Sequence, residues 1–271
     1  MIHQTVTRNN SVMHYAVTGK GFPVVLIHGF GEDSSIWNNQ VNFLKDHCML
    51  LIPDLPGTGP SLNKGDELSM ESMAADIKAM LDQENIHRCL LLGHSMGGYI
   101  ALAFAELYSG YLAGFGLVHS TAYADNEEKK KNRQRGIELI EQYGGYAFLK
   151  NSIASLFGNA FKTAAPEVVA ALIEKSKQFS NRALQQYYQA MMLRPDRTAV
   201  LRNTALPVLI IAGTEDVAAP FGDVLEQAAL SDHIQLHVLE GTGHMGMLEA
   251  TTQLNQYLLN FIQQHSRMNP S

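Results

Sequence analysis

A serine hydroxyl attacks a carbonyl at neutral pH only when a base takes its proton and a third group orients that base. Three places in this chain offer those parts. Gly93-His94-Ser95-Met96-Gly97 is a G-x-S-x-G sequence. It follows the apolar run Leu90 to Leu92 and opens a small-residue, apolar stretch from Gly97 to Leu107. That strand–turn–helix setting is what makes the pattern a nucleophile elbow, with Ser95 at a sharp turn and its hydroxyl projecting past the strand end. Of eleven histidines, His244 lies in Gly241-Thr242-Gly243-His244-Met245, a glycine-rich loop between the last strand pattern and the last helix pattern. It is the candidate base. His3, His14, His47, His87, His233, His237 and His265 read as surface or strand-face residues. Ile211-Ala212-Gly213-Thr214-Glu215-Asp216 places two carboxylates just past a strand, so Asp216 and Glu215 compete as the acid.

The order serine, acid, histidine along the chain is one of the arrangements in which such a triad occurs. A tetrahedral intermediate also needs donors for its oxyanion. The backbone N–H of Met96, directly after the serine, is one candidate. The second is the N–H of Phe30, in the loop His28-Gly29-Phe30-Gly31 that follows an apolar run. His28 itself reads as structural, its ring bonded to nearby backbone, and Trp37 reads as a packing residue of the next helix.

These residues need a frame. Ile2 to Val6 and Val12 to Val17 alternate like an antiparallel edge hairpin. Pro23 to His28, Cys48 to Ile52, Leu90 to Leu92, Phe115 to Val118, Val208 to Ala212 and Ile234 to Leu239 are apolar runs ended by Gly, Pro, His or Glu, as strands buried on both faces would be. Helical spacing fills the gaps, at Met70 to Leu81 with Ser69 as cap and again from Leu254 to Ile262. Strands alternating with helices predict a mostly parallel, doubly wound α/β sheet.

From 121 to 204 the alternation stops. Helical periodicity continues without a strand signal, in candidate helices Asn126 to Gln142, Tyr146 to Phe157, Pro166 to Phe179 and Asn181 to Leu193. The expected organisation is a core of 1–120 and 205–271 with a helical cap of 121–204 inserted in it. Tyr187, Met191 and Met245 are the expected substrate-lining residues.

The composition excludes other classes. Hydrophobic residues make up 46% and charged residues 17% of 271, enough for a large core and against wholesale disorder. A net charge of −6 argues against nucleic acid, which wants clustered lysine and arginine. The basic run Lys129-Lys130-Lys131 to Arg135 follows Glu127-Glu128 and reads as the solvated face of a helix. No apolar stretch reaches the roughly 20 residues of a membrane span, the start shows no apolar signal core, and two cysteines imply no disulfide framework. The expectation is a cytoplasmic protein acting on a small molecule, its oligomeric state open.

Taken together, His28-Gly29-Phe30-Gly31, Asp54-Leu55-Pro56-Gly57-Thr58-Gly59, Gly93 to Gly98, Gly213-Thr214-Glu215-Asp216 and Gly243-His244 resemble the α/β-hydrolase superfamily over the whole chain outside the cap, closest to small capped bacterial esterase-like members. The resemblance implies the α/β-hydrolase fold. It favours Asp216 over Glu215, because Gly-x-x-Asp followed by Pro220 is the usual form of that loop. Ser120-Thr121, at the other place where such proteins carry the acid, has no carboxylate. Thr58 and Pro60 depart from the family, which often has histidine and a charged residue there. A serine at the elbow argues against the branches that use an aspartate nucleophile. The fold also sets the Cys48 and Cys89 strands on either side of the strand ending at His28, about 10 Å apart, too far for a disulfide.

The activity implied is hydrolysis of a small carboxylic ester through an acyl-enzyme, without metal or cofactor. The alternatives keep the triad but cleave a C–C bond, by hydrolysis or as a lyase, or retain the pocket as a ligand receptor without turnover. An unperturbed histidine base predicts activity rising through roughly pH 6 to 7.

Overall fold

The computed structural model describes residues 1–63 and 67–266. The chain opens with a hairpin, β1 (Ile2–Arg8) and β2 (Ser11–Gly19). Next come β3 (Pro23–Ile27), a 3-10 turn (Ser34–Trp37), α1 (Asn38–Leu44), β4 (Met49–Asp54) and the short β5 (Leu62–Asn63). Then follow α2 (Met70–Gln83), β6 (Cys89–His94), α3 (Met96–Leu107) and β7 (Leu112–Val118). Six helices stand between β7 and the next strand: α4 (Glu127–Tyr143), α5 (Gly145–Ser152), α6 (Asn159–Ala164), α7 (Pro166–Lys175), α8 (Asn181–Leu193) and α9 (Thr198–Asn203). The chain then returns to the sheet through β8 (Val208–Gly213), α10 (Phe221–Ala228), β9 (Ile234–Leu239), α11 (Gly246–Glu249) and α12 (Thr251–His265).

The sheet runs β1-β2-β4-β3-β6-β7-β8-β9, with β5 paired to β2. From β4 through β9 its pairs are parallel, and β1 and β2 form the antiparallel edge. The central strands are apolar on both faces because each face is covered. Val25, Ile27, Leu91, Leu117 and Ile210 pack on the side of α2 and α3. Their alternates Val24, Leu26, Leu90, Leu92, Leu209 and Ile211 pack on the side of α1 and α12, as the two-residue period of a strand requires. A reciprocal capping box between Ser69 and Ser72 starts α2.

Cys48 directly precedes β4, and Cys89 opens β6; the two strands flank β3. Both thiols are free and buried, and burial pushes each up to about 12.

Chain order reverses between β3 and β6. In an open α/β sheet, ligands bind in the crevice outside the carboxyl ends of the strands at such a reversal. The loop after β3 carries Phe30 and the turn after β6 carries Ser95, so both edges of that crevice hold predicted site residues. The elbow depends on glycines for space. A Cβ at Gly93 would lie 2.1 Å from the Gly97 carbonyl oxygen, and one at Gly97 would lie 2.4 Å from that of Ile27.

Two helices anticipated as continuous are broken. Tyr146 to Phe157 divides after Ser152 into α5 and a 3-10 turn, Ile153–Leu156. The Leu156 carbonyl, at the end of that turn, accepts the backbone N–H of His244 at 2.6 Å. Pro166 to Phe179 divides after Lys175 in the same way. No described helix is long and apolar enough to cross a membrane.

Candidate active site

Ser95 sits at φ 51°, ψ −115°, a left-handed conformation rare for a residue with a side chain. The neighbouring strand holds it there. Its N–H donates to Val118 O at 3.0 Å, and its carbonyl accepts from the Ser120 hydroxyl at 2.7 Å and from Gly98 N at 2.9 Å. Met96 is the first residue of α3, where an N–H has no partner inside the helix. Neither Met96 N nor Phe30 N donates to another described residue.

His244 is buried, and its Nδ1 donates to Asp216, with Oδ1 at 3.0 Å and Oδ2 at 2.9 Å. Asp216 is over-determined. Oδ1 also accepts the N–H groups of Ala218 and Ala219, at 2.8 and 2.9 Å, and Oδ2 accepts from His119 Nδ1 at 3.1 Å. Burial acts to raise the Asp216 carboxyl, but the two imidazoles outweigh it and hold the group well below the usual range. Burial likewise acts to lower His244, and the Asp216 carboxylate overrides it, with Glu32 and Glu249 adding, so His244 is raised above its ordinary 6.5. Glu215 is turned elsewhere and accepts the backbone N–H of Asn159 at 2.7 Å.

Four residues not singled out in the sequence brace these groups. His119 stands one position past β7, beside β8, whose following loop holds Asp216. Burial keeps it low, and its Nε2 has no partner among the described residues. Both ring nitrogens of His94 face acceptors, Nδ1 on Glu32 Oε2 at 2.9 Å and Nε2 on the carbonyl of His244 at 3.0 Å. Burial opposes the charge on Glu32, but His94 and the Gly29 N–H hold it down. Glu249 accepts the N–H groups of Gly158, Gly243 and Met245, tying the His244 loop to the inserted helices. His28 is bonded to local backbone, its Nδ1 to Gly29 O and its Nε2 accepting from Leu55 N. Trp37 is fully buried.

Ser95 and His244 open on one cavity of about 140 Å³. Phe30, Tyr99, Arg133, Leu149, Tyr188 and Met191 are among its walls, and Met245 lines it too. Met191 and Met245 therefore line the same cavity as Ser95 and His244. Tyr187 does not. Its hydroxyl donates to Pro56 O at 2.8 Å and bonds Thr58 Oγ1 at 2.7 Å, pinning α8 to the loop after β4. Its neighbour Tyr188 faces the cavity instead, stacked on Phe30 with centroids 4.2 Å apart. One residue along a helix is a rotation of about 100°, so adjacent tyrosines cannot share a face.

Among the described residues, His119, Asp216 and His244 form a group whose potential metal-ligand atoms lie within 4.8 Å of one another. Both Asp216 oxygens are already taken by hydrogen bonds from the two imidazoles and from the Ala218 and Ala219 N–H groups.

A family model described as "Alpha/beta hydrolase family" matches residues 24–256, and the chain belongs to that family. It is 29% identical over 264 residues to the dihydrolipoyllysine-residue acetyltransferase component of an acetoin cleaving system from Pseudomonas putida, covering 90% of this chain but only 64% of that protein. It is 24% identical to a cis-3-alkyl-4-alkyloxetan-2-one decarboxylase from Shewanella oneidensis, over 95% of this chain and 87% of the relative. It is 28% identical to a pimeloyl-[acyl-carrier protein] methyl ester esterase from Xanthomonas oryzae, over 92% and 98%. Among solved structures, a thermophilic esterase from Thermogutta terrifontis with malate bound superposes with a TM-score of 0.93 at 27% identity, covering 98% of this chain and 100% of that one.

Proposed function

We propose that this protein is a serine hydrolase that cleaves a small carboxylic ester, with Ser95 as nucleophile, His244 as general base and Asp216 as the acid that orients it. The observation that carries the reading is the Asp216–His244 pair, with Nδ1 committed to the carboxylate, in the same cavity as a serine on a strained elbow. With its proton on Nδ1, the imidazole offers Nε2 as the base. Nε2 takes the Ser95 proton as Oγ adds to the ester carbonyl. The N–H groups of Phe30 and Met96 stabilise the oxyanion. Collapse expels the alcohol, which receives that proton, and leaves an acyl group on Ser95. Water then repeats the sequence to release the acid.

The segment 121–204 serves as a cap whose helices supply the specificity walls. The cavity is close in size to one of about 150 Å³ that accommodates benzene, which suits a short acyl or alcohol group.

The test is a series of nitrophenyl esters of graded acyl length. Short esters should be turned over best, and Ser95→Ala should be inert. The decarboxylase relative supports a second reading, cleavage of a C–C bond by the same residues. A ring-fission diketone in the same series separates the two. Turnover of the diketone with none of any ester would overturn the esterase reading.

A further inference from the structure

The basic run from Lys129 to Arg135 is not solvated throughout as expected: Arg133 turns from it into the cavity wall and brings a charge there that the triad does not use. It stands on α4, and its Nε donates to Asp125 Oδ2 at 2.5 Å, with Nη2 at 3.4 Å from Oδ1. Asp125 is fully buried and is shared with a second guanidinium, because Arg194 Nη1 lies 2.8 Å from its Oδ1. One carboxylate thus faces two arginines. Arg194 is otherwise spoken for. It is buried, donates to Met191 O at 2.7 Å and Tyr123 O at 2.9 Å, and lies 3.9 Å over the Tyr99 ring.

The surplus positive charge falls to Arg133, whose side chain keeps one-fifth of its surface exposed and whose Nη1 bonds no described residue. The guanidinium lies 5.4 Å over the ring of Tyr188, which in turn stacks on Phe30, the residue whose N–H we place at the oxyanion. Glu32, the other fully charged side chain in the wall, is engaged by His94 and the Gly29 N–H. Two arginines on one carboxylate leave net positive charge beside a small, largely apolar cavity, which is costly where neither ligand nor water completes it. A guanidinium with free N–H groups fits a carboxylate.

We propose that Arg133 anchors a carboxylate carried by the substrate, so that the preferred ester is the monoester of a short dicarboxylic acid rather than a neutral ester. This rests on the serine-hydrolase reading above, and it goes further by giving the substrate's charge and the residue that recognises it. The carboxylate docks on Arg133 beside Tyr188 and leaves the ester group at the far end of a short chain for Ser95.

The experiment compares monomethyl succinate with dimethyl succinate at pH 8, where the free acid of the monoester is ionised. The wild-type enzyme should have the higher kcat/KM for the monoester. Arg133→Gln should lose roughly tenfold to a hundredfold on the monoester, mostly in KM, as expected for one charge-assisted contact, with a markedly smaller loss on the diester. Arg133→Lys should recover part of the difference. Equal losses on both esters in Arg133→Gln, or a wild-type preference for the diester, would overturn the proposal, since a merely structural arginine affects both substrates alike.

Should Arg133→Gln fail to fold, calorimetric titration of Ser95→Ala decides. The monoester must bind more tightly than the diester, and equal or weaker binding refutes the anchor. If wild type hydrolyses neither of these esters nor any nitrophenyl ester while Ser95→Ala still prefers the monoester, the catalytic reading fails and the anchor stands.

Discussion

The loops at the carboxyl edge of the sheet and the helices inserted between β7 and β8 face each other across one cavity, and they are built on different principles. At the sheet edge the carboxylates and His94 are cross-braced. Asp216 accepts two backbone N–H groups and two imidazoles, Glu249 accepts three N–H groups, and His94 ties Glu32 to the carbonyl of His244. Across the cavity the walls from α5, α7 and α8 are mostly apolar side chains, among them Leu149, Leu172 and Met191, held by packing. Position at the sheet edge is fixed by directional bonds, so a single replacement there should damage chemistry. Shape on the helical side is set by volume, so replacements there should redirect specificity at small cost.

The largest effect that would break this contrast is at the acid. Asp216→Asn should retain the fold and substrate affinity but lower kcat by about four orders of magnitude, the size seen for the equivalent change in the best-studied triad. Glu215→Gln, whose carboxylate among the described residues accepts only the N–H of Asn159, should change kcat severalfold at most. Turnover numbers of the two variants on one ester at pH 8 compare them, and a crippled Glu215→Gln would reassign the acid.

Next in size is the helical side. Met191→Ala or Tyr188→Ala should shift the acyl-length profile by roughly tenfold between short and long esters, the scale of a methylene or two in an apolar pocket. Tyr187→Phe removes two hydrogen bonds away from the cavity. It should cost about 1 kcal/mol of stability in a denaturant titration and leave the profile unchanged. A profile that moves in Tyr187→Phe but not in Tyr188→Ala would contradict the assignment of the wall.

A smaller effect sharpens the electrostatics. Only neutral His244 can accept the Ser95 proton. Since the folded enzyme holds His244 above 6.5, activity is lost as pH falls through that raised value. The acid limb of kcat/KM should therefore have its midpoint above pH 6.5, later than an unperturbed histidine would give. In Asp216→Asn the limb should move to lower pH, because the carboxylate is the main cause of the rise. Smallest of all, both cysteines are inert in the folded protein. A thiol reagent should count none in the native enzyme and two after unfolding without reductant.

The contrast also explains what the sequence could reveal. Ser95, His244 and Asp216 were legible because each lies in a glycine-spaced turn directly after a strand, and a turn of that kind is a local object. His94, His119 and Glu32 were not, since their meaning comes from partners far along the chain: Glu32 and His94 are 62 positions apart, and His119 and Asp216 are 97 apart. Glu249 bonds the nearby Gly243 and Met245, but its tie to the inserted helices is through Gly158, 91 positions away. One signal was present for His119, as it follows a strand that pairs in parallel with the strand before Asp216. On the helical side, periodicity gave the existence of α4, α5, α7 and α8 but not their phase. Nothing in the spacing separates Tyr188, which lines the cavity, from Tyr187, which does not. The short helices α6, α9 and α11, of four to six residues, are too brief to show a period at all.

The central claim is that Ser95 is the one activated serine in this molecule, and covalent labelling tests it most directly. After brief exposure of the native enzyme to a fluorophosphonate at pH 8, intact mass should show a single adduct. Peptide mapping should place it on Ser95, and Ser95→Ala should remain unmodified. An adduct on any other serine, or undiminished labelling of Ser95→Ala, would contradict the account.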